Sequence, residues 1–182
     1  MIIEQSPFGE REKNSSNWAV LVLSFLISFV SILPMFFFRD KLYGDDVVFH
    51  INRLLSLDTI WKSPINFTTN GGTGQLINTF YPWLTYYPIF LVYQLTQSIF
   101  VAWMSFQFLV RFATCLLSFY GLRLLRYSDK QVLIFSTFYL FSGYFLHNSY
   151  YRAAVGETLA MIFLPLVFVG VRLLTFGDYK KW

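Results

Sequence analysis

The sequence predicts an all-α protein, a polytopic bundle of transmembrane helices, and three observations point there. Of its 182 residues, 55% are hydrophobic and only 13% charged, against about 25% charged in an ordinary soluble domain. Mean hydropathy is +0.50, and a water-soluble fold of this length cannot hide that much apolar surface. The apolar residues also fall in long uncharged runs. The first, 18–38, is long enough for a hydrocarbon core about 30 Å thick.

A net charge of +4 and a pI near 9.2 raise nucleic acid as a partner. The basic residues are scattered at the ends of apolar runs, where they act as topology signals. Membrane lipid is therefore expected, and nucleic acid is not. The single cysteine, Cys115, lies inside an apolar run, so it forms no intramolecular disulfide and reads as a small buried or lipid-facing hydrophobe.

Residues 1–17 carry Glu4, Glu10, Arg11, Glu12 and Lys13. The apolar run after them is about 20 residues long with no small-x-small cleavage site, so the sequence predicts an uncleaved cytoplasmic tail ahead of a transmembrane domain over 18–182. Trp18 marks one interface of the first span, and Arg39, Asp40 and Lys41 mark the other. Pro34 lies near the exit, where a membrane helix tolerates a kink.

Residues 39–99 read as one large external loop. Its first part, 39–78, is polar and holds Gly44-Asp45-Asp46, His50, Arg53, Asp58, Lys62 and Asn70-Gly71-Gly72-Thr73-Gly74. Within it, 47–57 predicts a short amphipathic helix, with Val48, Ile51, Leu54 and Leu55 near one face. The glycine-rich run lacks the Lys-Ser/Thr ending and the strand-to-helix context of a phosphate-binding loop, so it reads as a flexible turn.

Four further apolar stretches follow: 80–99, 100–122, 131–146 and 158–174. If all of them span, the Arg123, Arg126 and Lys130 cluster falls outside. If 80–99 lies along the interface or re-enters, the inside receives Arg11, Lys13, Arg123, Arg126, Lys130, Arg172, Lys180 and Lys181, against Arg39, Lys41, Arg53, Lys62 and Arg152 outside. The positive-inside rule prefers the second arrangement. Tyr81, Trp83, Tyr86, Tyr87 and Tyr93, with Pro82 and Pro88, suit the headgroup level. The expectation is four spans, near 18–38, 100–122, 131–148 and 158–175, with 80–98 interfacial or re-entrant. Loop 39–99 and segment 147–157 then share the external side.

Two constellations on that side carry chemistry. Asp46, His50 and Arg53 are spaced by four and three residues and line one helix face, with Asp45 at the helix entrance. A carboxylate there serves as a general base or a metal ligand at the lipid–water boundary. The alternative is a helix N-cap. The second constellation is Tyr150-Tyr151-Arg152-Ala153-Ala154-Val155-Gly156-Glu157. Arg152 defies the positive-inside bias, and its forked guanidinium suits a phosphate. Glu157 either pairs with it or stabilises the N-terminus of the last helix. Arg111 lies near mid-span, where an ion usually faces the bundle or a polar cavity. His147, at a helix end, reads as interfacial.

One N-terminal span is followed by Gly44-Asp45-Asp46-Val47-Val48-Phe49-His50-Ile51-Asn52-Arg53, then by Tyr150 to Glu157, then by a Phe163-Leu164-Pro165-Leu166 helix. This succession resembles bacterial multi-spanning membrane proteins labelled "6-pyruvoyl-tetrahydropterin synthase-related". Nothing in it resembles the soluble pterin enzyme with its zinc-binding histidines, for the chain has two histidines in total. More broadly it is similar to the GT-C glycosyltransferases, which use polyprenyl-phosphate sugars and place an acidic motif in the first external loop. The resemblance implies a cell-membrane enzyme that transfers a sugar from a polyprenyl-phosphate donor. Asp45 and Asp46 would be catalytic, His50, Arg53, Arg152 and Glu157 would bind substrate, and a divalent metal would be held, if at all, at Asp45 and Asp46. GT-C proteins have more helices, so the chain is expected to be the N-terminal part of a longer protein whose remaining helices are its partners. The competing expectation is a non-catalytic component that binds or transports lipid phosphates through the same charges.

Overall fold

A computed structural model describes residues 16–37, 42–63, 65–67, 72–74, 76–81 and 83–176. The tail 1–15, the interfacial Arg39, Asp40 and Lys41, Asn70 and Gly71 of the glycine-rich run, and Lys180, Lys181 and Trp182 lie outside the described residues. The fold is all-helical and polytopic. Its elements are α1 (Asn17–Phe36), α2 (Val47–Leu55), α3 (Ile77–Phe80), α4 (Tyr87–Thr96), α5 (Ile99–Leu124), α6 (Asp129–Leu140), α7 (Gly143–Leu146), α8 (Val155–Met161) and α9 (Leu164–Phe176).

Three helical runs among the described residues are long and apolar enough to cross a membrane: α1, α5 and the joined run Val155–Phe176. Helix α1 starts at Ser16, whose side chain accepts the Ala19 amide at 3.2 Å and so satisfies one of the free N–H groups of the first turn. Its buried residues Val20, Ser24, Ser28, Ser31 and Ile32 recur at helical spacing and form one face. The three serines keep that face narrow, which lets α1 approach α5 closely. Two of the hydroxyls turn back on their own helix, Ser28 donating to the Ser24 carbonyl at 2.6 Å and Ser31 to that of Ser28 at 2.8 Å. Ser28 Oγ also lies 3.9 Å from Cys115 Sγ, so Cys115 is a buried interhelical contact.

Helix α5 is the central post, packed by α1, α4, α6 and α9. Ser98 caps its start. At its other end Arg123 grips Asp129 with both forks, Nε to Oδ1 at 2.7 Å and Nη2 to Oδ2 at 2.9 Å, a planar bidentate match that turns the chain into α6. There the Ser128 and Gln131 capping box begins the next helix. Gly121 admits α9, since a Cβ there would stand 2.6 Å from Leu166 Cδ2.

The expected third span, 131–148, is not one helix. Helix α6 has 12 residues, about 18 Å at 1.5 Å per residue, and it ends at Phe141 before Ser142 caps α7. A six-residue π-helical turn, His147–Arg152, completes the pass. These pieces still join the two ends of the bundle: they start at the Arg123–Asp129 pair and finish against Asp45 and Asp46, beyond the end of α1. A serine at a cap and the wide π turn break what the apolar run alone reads as continuous.

The last span breaks for a different reason. Pro165 has no N–H for the carbonyl of Met161, four residues earlier, and the helix is interrupted between Met161 and Leu164. Tyr139 of α6 donates its hydroxyl to that carbonyl at 2.8 Å. A polar group freed in an apolar setting is thus satisfied by a neighbouring helix.

The segment expected to be interfacial or re-entrant holds a short helical turn, Leu84–Tyr86, and α4. Helix α4 has 10 residues, about 15 Å, so it is too short to span. It packs on α5, and its Leu91 and Leu95 are exposed. The described part of the glycine-rich run is a turn, with positive φ at Gly72 and Gly74, as its composition predicts.

Candidate functional site

The two constellations, a hundred residues apart in sequence, meet. The amide of Asp45 donates to the carbonyl of Tyr151 at 3.0 Å, and that of Asp46 to the carbonyl of Arg152 at 2.9 Å. Local geometry allows the approach. Gly44 adopts φ +138°, a conformation open to glycine and strained for other residues. Ala153 opposite it is left-handed at φ +56°, ending the π turn. Ala154 N closes that end by donating to the Asn148 carbonyl at 2.9 Å. π-helical turns of this kind recur at functional sites because the widened backbone re-aims its side chains.

On this scaffold Asp45 is exposed and Asp46 half-buried. Asp46 is the N-cap residue of α2, yet its carboxylate makes no capping hydrogen bond. The acid pair is therefore not consumed by the helix start.

Arg152 donates from Nη1 to Glu157 Oε1 at 2.8 Å and to Asn148 Oδ1 at 3.1 Å, while Tyr144 donates to Glu157 Oε2 at 2.9 Å. The Arg152 and Glu157 side chains are 39% and 41% exposed, so this ion pair adds little stability and its charges remain within reach of a ligand. His147 stacks on Tyr151, ring centres 5.2 Å apart.

His50 and Arg53 lie elsewhere. They are 5% and 3% exposed and form an internal cluster with Tyr86 and Asn78. Arg53 Nε donates to Asn78 Oδ1 at 3.2 Å, and Nη1 donates to the Tyr86 hydroxyl at 3.2 Å and lies 3.3 Å from His50 Nδ1. The Tyr86 hydroxyl stands 2.6 Å from the same Nδ1. An arginine N–H only donates, so Nδ1 is an acceptor and the His50 ring is neutral. Burial, reinforced by the Arg53 charge, pushes the His50 pKa down to about 4. Burial raises the Tyr86 hydroxyl above its ordinary value, so it stays protonated as a donor. The Arg53 guanidinium lies 4.6 Å from the Tyr86 ring centre and 5.0 Å from that of Tyr81, within cation–π range. The face predicted to carry Asp46, His50 and Arg53 together is thus divided, with Asp46 at the surface and the other two holding α2 onto α3 and the turn before α4.

Among the described residues no three His, Cys, Asp or Glu side chains gather as a metal-ligand set. Asp45 and Asp46 alone do not make a complete cation site.

Tyr144, Asn148 and Asn78 join the two clusters without having been expected from sequence, and Tyr86, expected only as an interfacial aromatic, is a buried hydrogen-bonding partner. Asn148 precedes Arg152 by four residues, the spacing of helical neighbours, and was readable on that ground. Asn78 and Tyr86 reach Arg53 only through loop closure, which leaves no local signal.

An apolar cavity of about 50 Å³ lies beside the site, lined by Met35, Leu42, Tyr43, Phe100, Trp103, Met104, Ser149 and Tyr150. Phe100 and Met104 also line a broader groove of about 500 Å³ between α1 and α5. No protein-family model, curated protein or solved structure matches the chain.

Proposed function

We propose that the chain carries the catalytic end of a cell-membrane glycosyltransferase of the GT-C kind, with the Asp45 and Arg152 face outside the cytoplasm and the N-terminus inside. Its substrate would be a sugar on a polyprenyl phosphate. The observation that carries this reading is the backbone pairing of 45–46 with 151–152, which joins the segment of the exposed Asp45 to the segment that carries Arg152 at the end of a spanning bundle.

In that reaction Asp45 accepts the proton of the acceptor hydroxyl. The hydroxyl oxygen bonds to the anomeric carbon, and the bond from that carbon to the phosphate oxygen breaks with inversion. Negative charge grows on the departing polyprenyl phosphate, and Arg152 stabilises it. Glu157, Tyr144 and Asn148 hold the guanidinium ready, and Asp46 supports the acid pair. Arg53 is buried among aromatic rings, so in this reading it orders α2 instead of gripping the donor.

A second reading has a specific observation in its favour: Arg152 is already paired with Glu157. On it the face binds lipid-phosphate headgroups without turnover. Proteoliposomes carrying the protein and a radiolabelled polyprenyl-phosphate sugar, with a panel of acceptors, separate the two. Transfer of label with a donor KM raised by Arg152→Lys supports the enzyme. Saturable donor binding without transfer or donor cleavage supports the binder.

A further inference from the structure

We propose that Arg111 and Gln107, inside the spanning part of α5, are positioning residues that hold the Asp45–Asp46 segment in place from below. Arg111 is fully buried. Its Nη1 donates to Gln107 Oε1 at 2.6 Å and to the Gln107 carbonyl at 3.0 Å. Nε and Nη2 make no hydrogen bond among the described residues. Burying a guanidinium in this way carries a desolvation cost that its contacts have to offset.

What it holds is the segment carrying the site. The guanidinium carbon lies 5.4 Å from the ring centres of both Phe145 and Tyr150, within cation–π range. Gln107, fixed by Arg111, donates from Nε2 to the Ser149 carbonyl at 3.4 Å. Tyr150 donates its hydroxyl to the Ser31 carbonyl of α1. The next two carbonyls, of Tyr151 and Arg152, receive the amides of Asp45 and Asp46. A continuous set of contacts thus runs from mid-membrane to the acid pair, and the stretch it crosses is a π turn, in which the wider i→i+5 pattern replaces α-helical bonding.

The proposal deepens the reading of Asp45 and Asp46 as the working carboxylates, but its test reads backbone amides alone, so a failed transfer assay does not bear on it. The whole chain in nanodiscs is compared by hydrogen exchange with Arg111→Met, Arg111→Lys, Gln107→Leu and Thr114→Val. Thr114 is a buried control on the same helix, its hydroxyl bonded to the Val110 carbonyl. The expected result is exchange at the Asp45 and Asp46 amides at least about tenfold faster in Arg111→Met and Gln107→Leu, an increase equivalent to about 1.4 kcal/mol of lost protection. Amides in 112–122 stay protected, Arg111→Lys recovers part of the loss because it still donates to Gln107, and Thr114→Val matches wild type. If Arg111→Met unfolds, Gln107→Leu decides. Wild-type exchange at 45 and 46 in Gln107→Leu, or acceleration spread equally through α5, overturns the proposal.

Discussion

Gly44 lies so close to Ala153 that a Cβ at Gly44 would stand 2.6 Å from the Ala153 Cβ. This contact sets how near the acid pair comes to the π turn. Both residues have positive φ, +138° and +56°, so strain and packing meet at one point. Gly44→Ala combines a clash with a conformation that alanine rarely adopts, and should cost about 2–4 kcal/mol. Thermal unfolding in detergent reads it. Ala153→Gly relieves its own left-handed strain whether alone or combined, so the steric part is the extra gain it brings in the Gly44→Ala background, with the φ penalty at 44 left in place. Equal gains in the two backgrounds would show that the Cβ contact is not the cause.

His50 gives the α2 cluster a pH dependence of defined sign. Its folded pKa of about 4 lies below the ordinary 6.5, so between these values the unfolded chain binds a proton that the folded one refuses. Stability is unaffected above pH 6.5, falls as pH drops toward 4, and levels off below, the full loss being on the order of 3 kcal/mol. Protection factors at α2 amides, taken relative to the intrinsic exchange rate at each pH, should fall over that window in wild type and stay flat in His50→Gln. An equal fall in both would assign the effect to another group.

The break at Pro165 predicts a coupled pair. Tyr139→Phe leaves the Met161 carbonyl without its donor and should cost about 1–2 kcal/mol. With Pro165→Ala in place, residue 165 can supply the amide itself, and the same Tyr139→Phe change should then cost much less. A thermal-unfolding double-mutant cycle measures the difference. Additive effects would mean that the hydroxyl does not replace the missing amide.

The bundle was legible because its signals are local: the apolar runs at 18–38 and 100–122, the second carrying Arg111, match α1 and α5 to within a few residues, and the segment 80–98, expected from its aromatics and prolines to be interfacial or re-entrant, holds a helix of only 10 residues. The broken third pass was not. Apolar composition over 131–148 says nothing of Ser142 acting as a cap or of a π turn at 147–152. The charged residues were readable as chemistry, but their partners were not. Helical spacing put Asp46, His50 and Arg53 on one face, whereas burial against Asn78 and Tyr86, which depends on how the loop closes, drew His50 and Arg53 inside. The backbone pairing of Asp45 and Asp46 with Tyr151 and Arg152 crosses a hundred residues and has no sequence signature. That Arg111 is shielded followed from the cost of an intramembrane ion, and the structure meets it with Gln107, one turn away.

As the proposed base of a transfer from a polyprenyl-phosphate sugar, Asp45 should control turnover. Asparagine keeps the shape of aspartate and removes its basicity, so the measurement is acceptor-dependent release of polyprenyl phosphate by wild-type and Asp45→Asn protein at equal abundance in proteoliposomes. Wild type should release it, and Asp45→Asn should lose about 100-fold or more with donor affinity unchanged, the usual scale of general-base catalysis. Release at the wild-type rate by Asp45→Asn would rule out the base, and would leave Asp45 as an exposed residue at the entrance to α2.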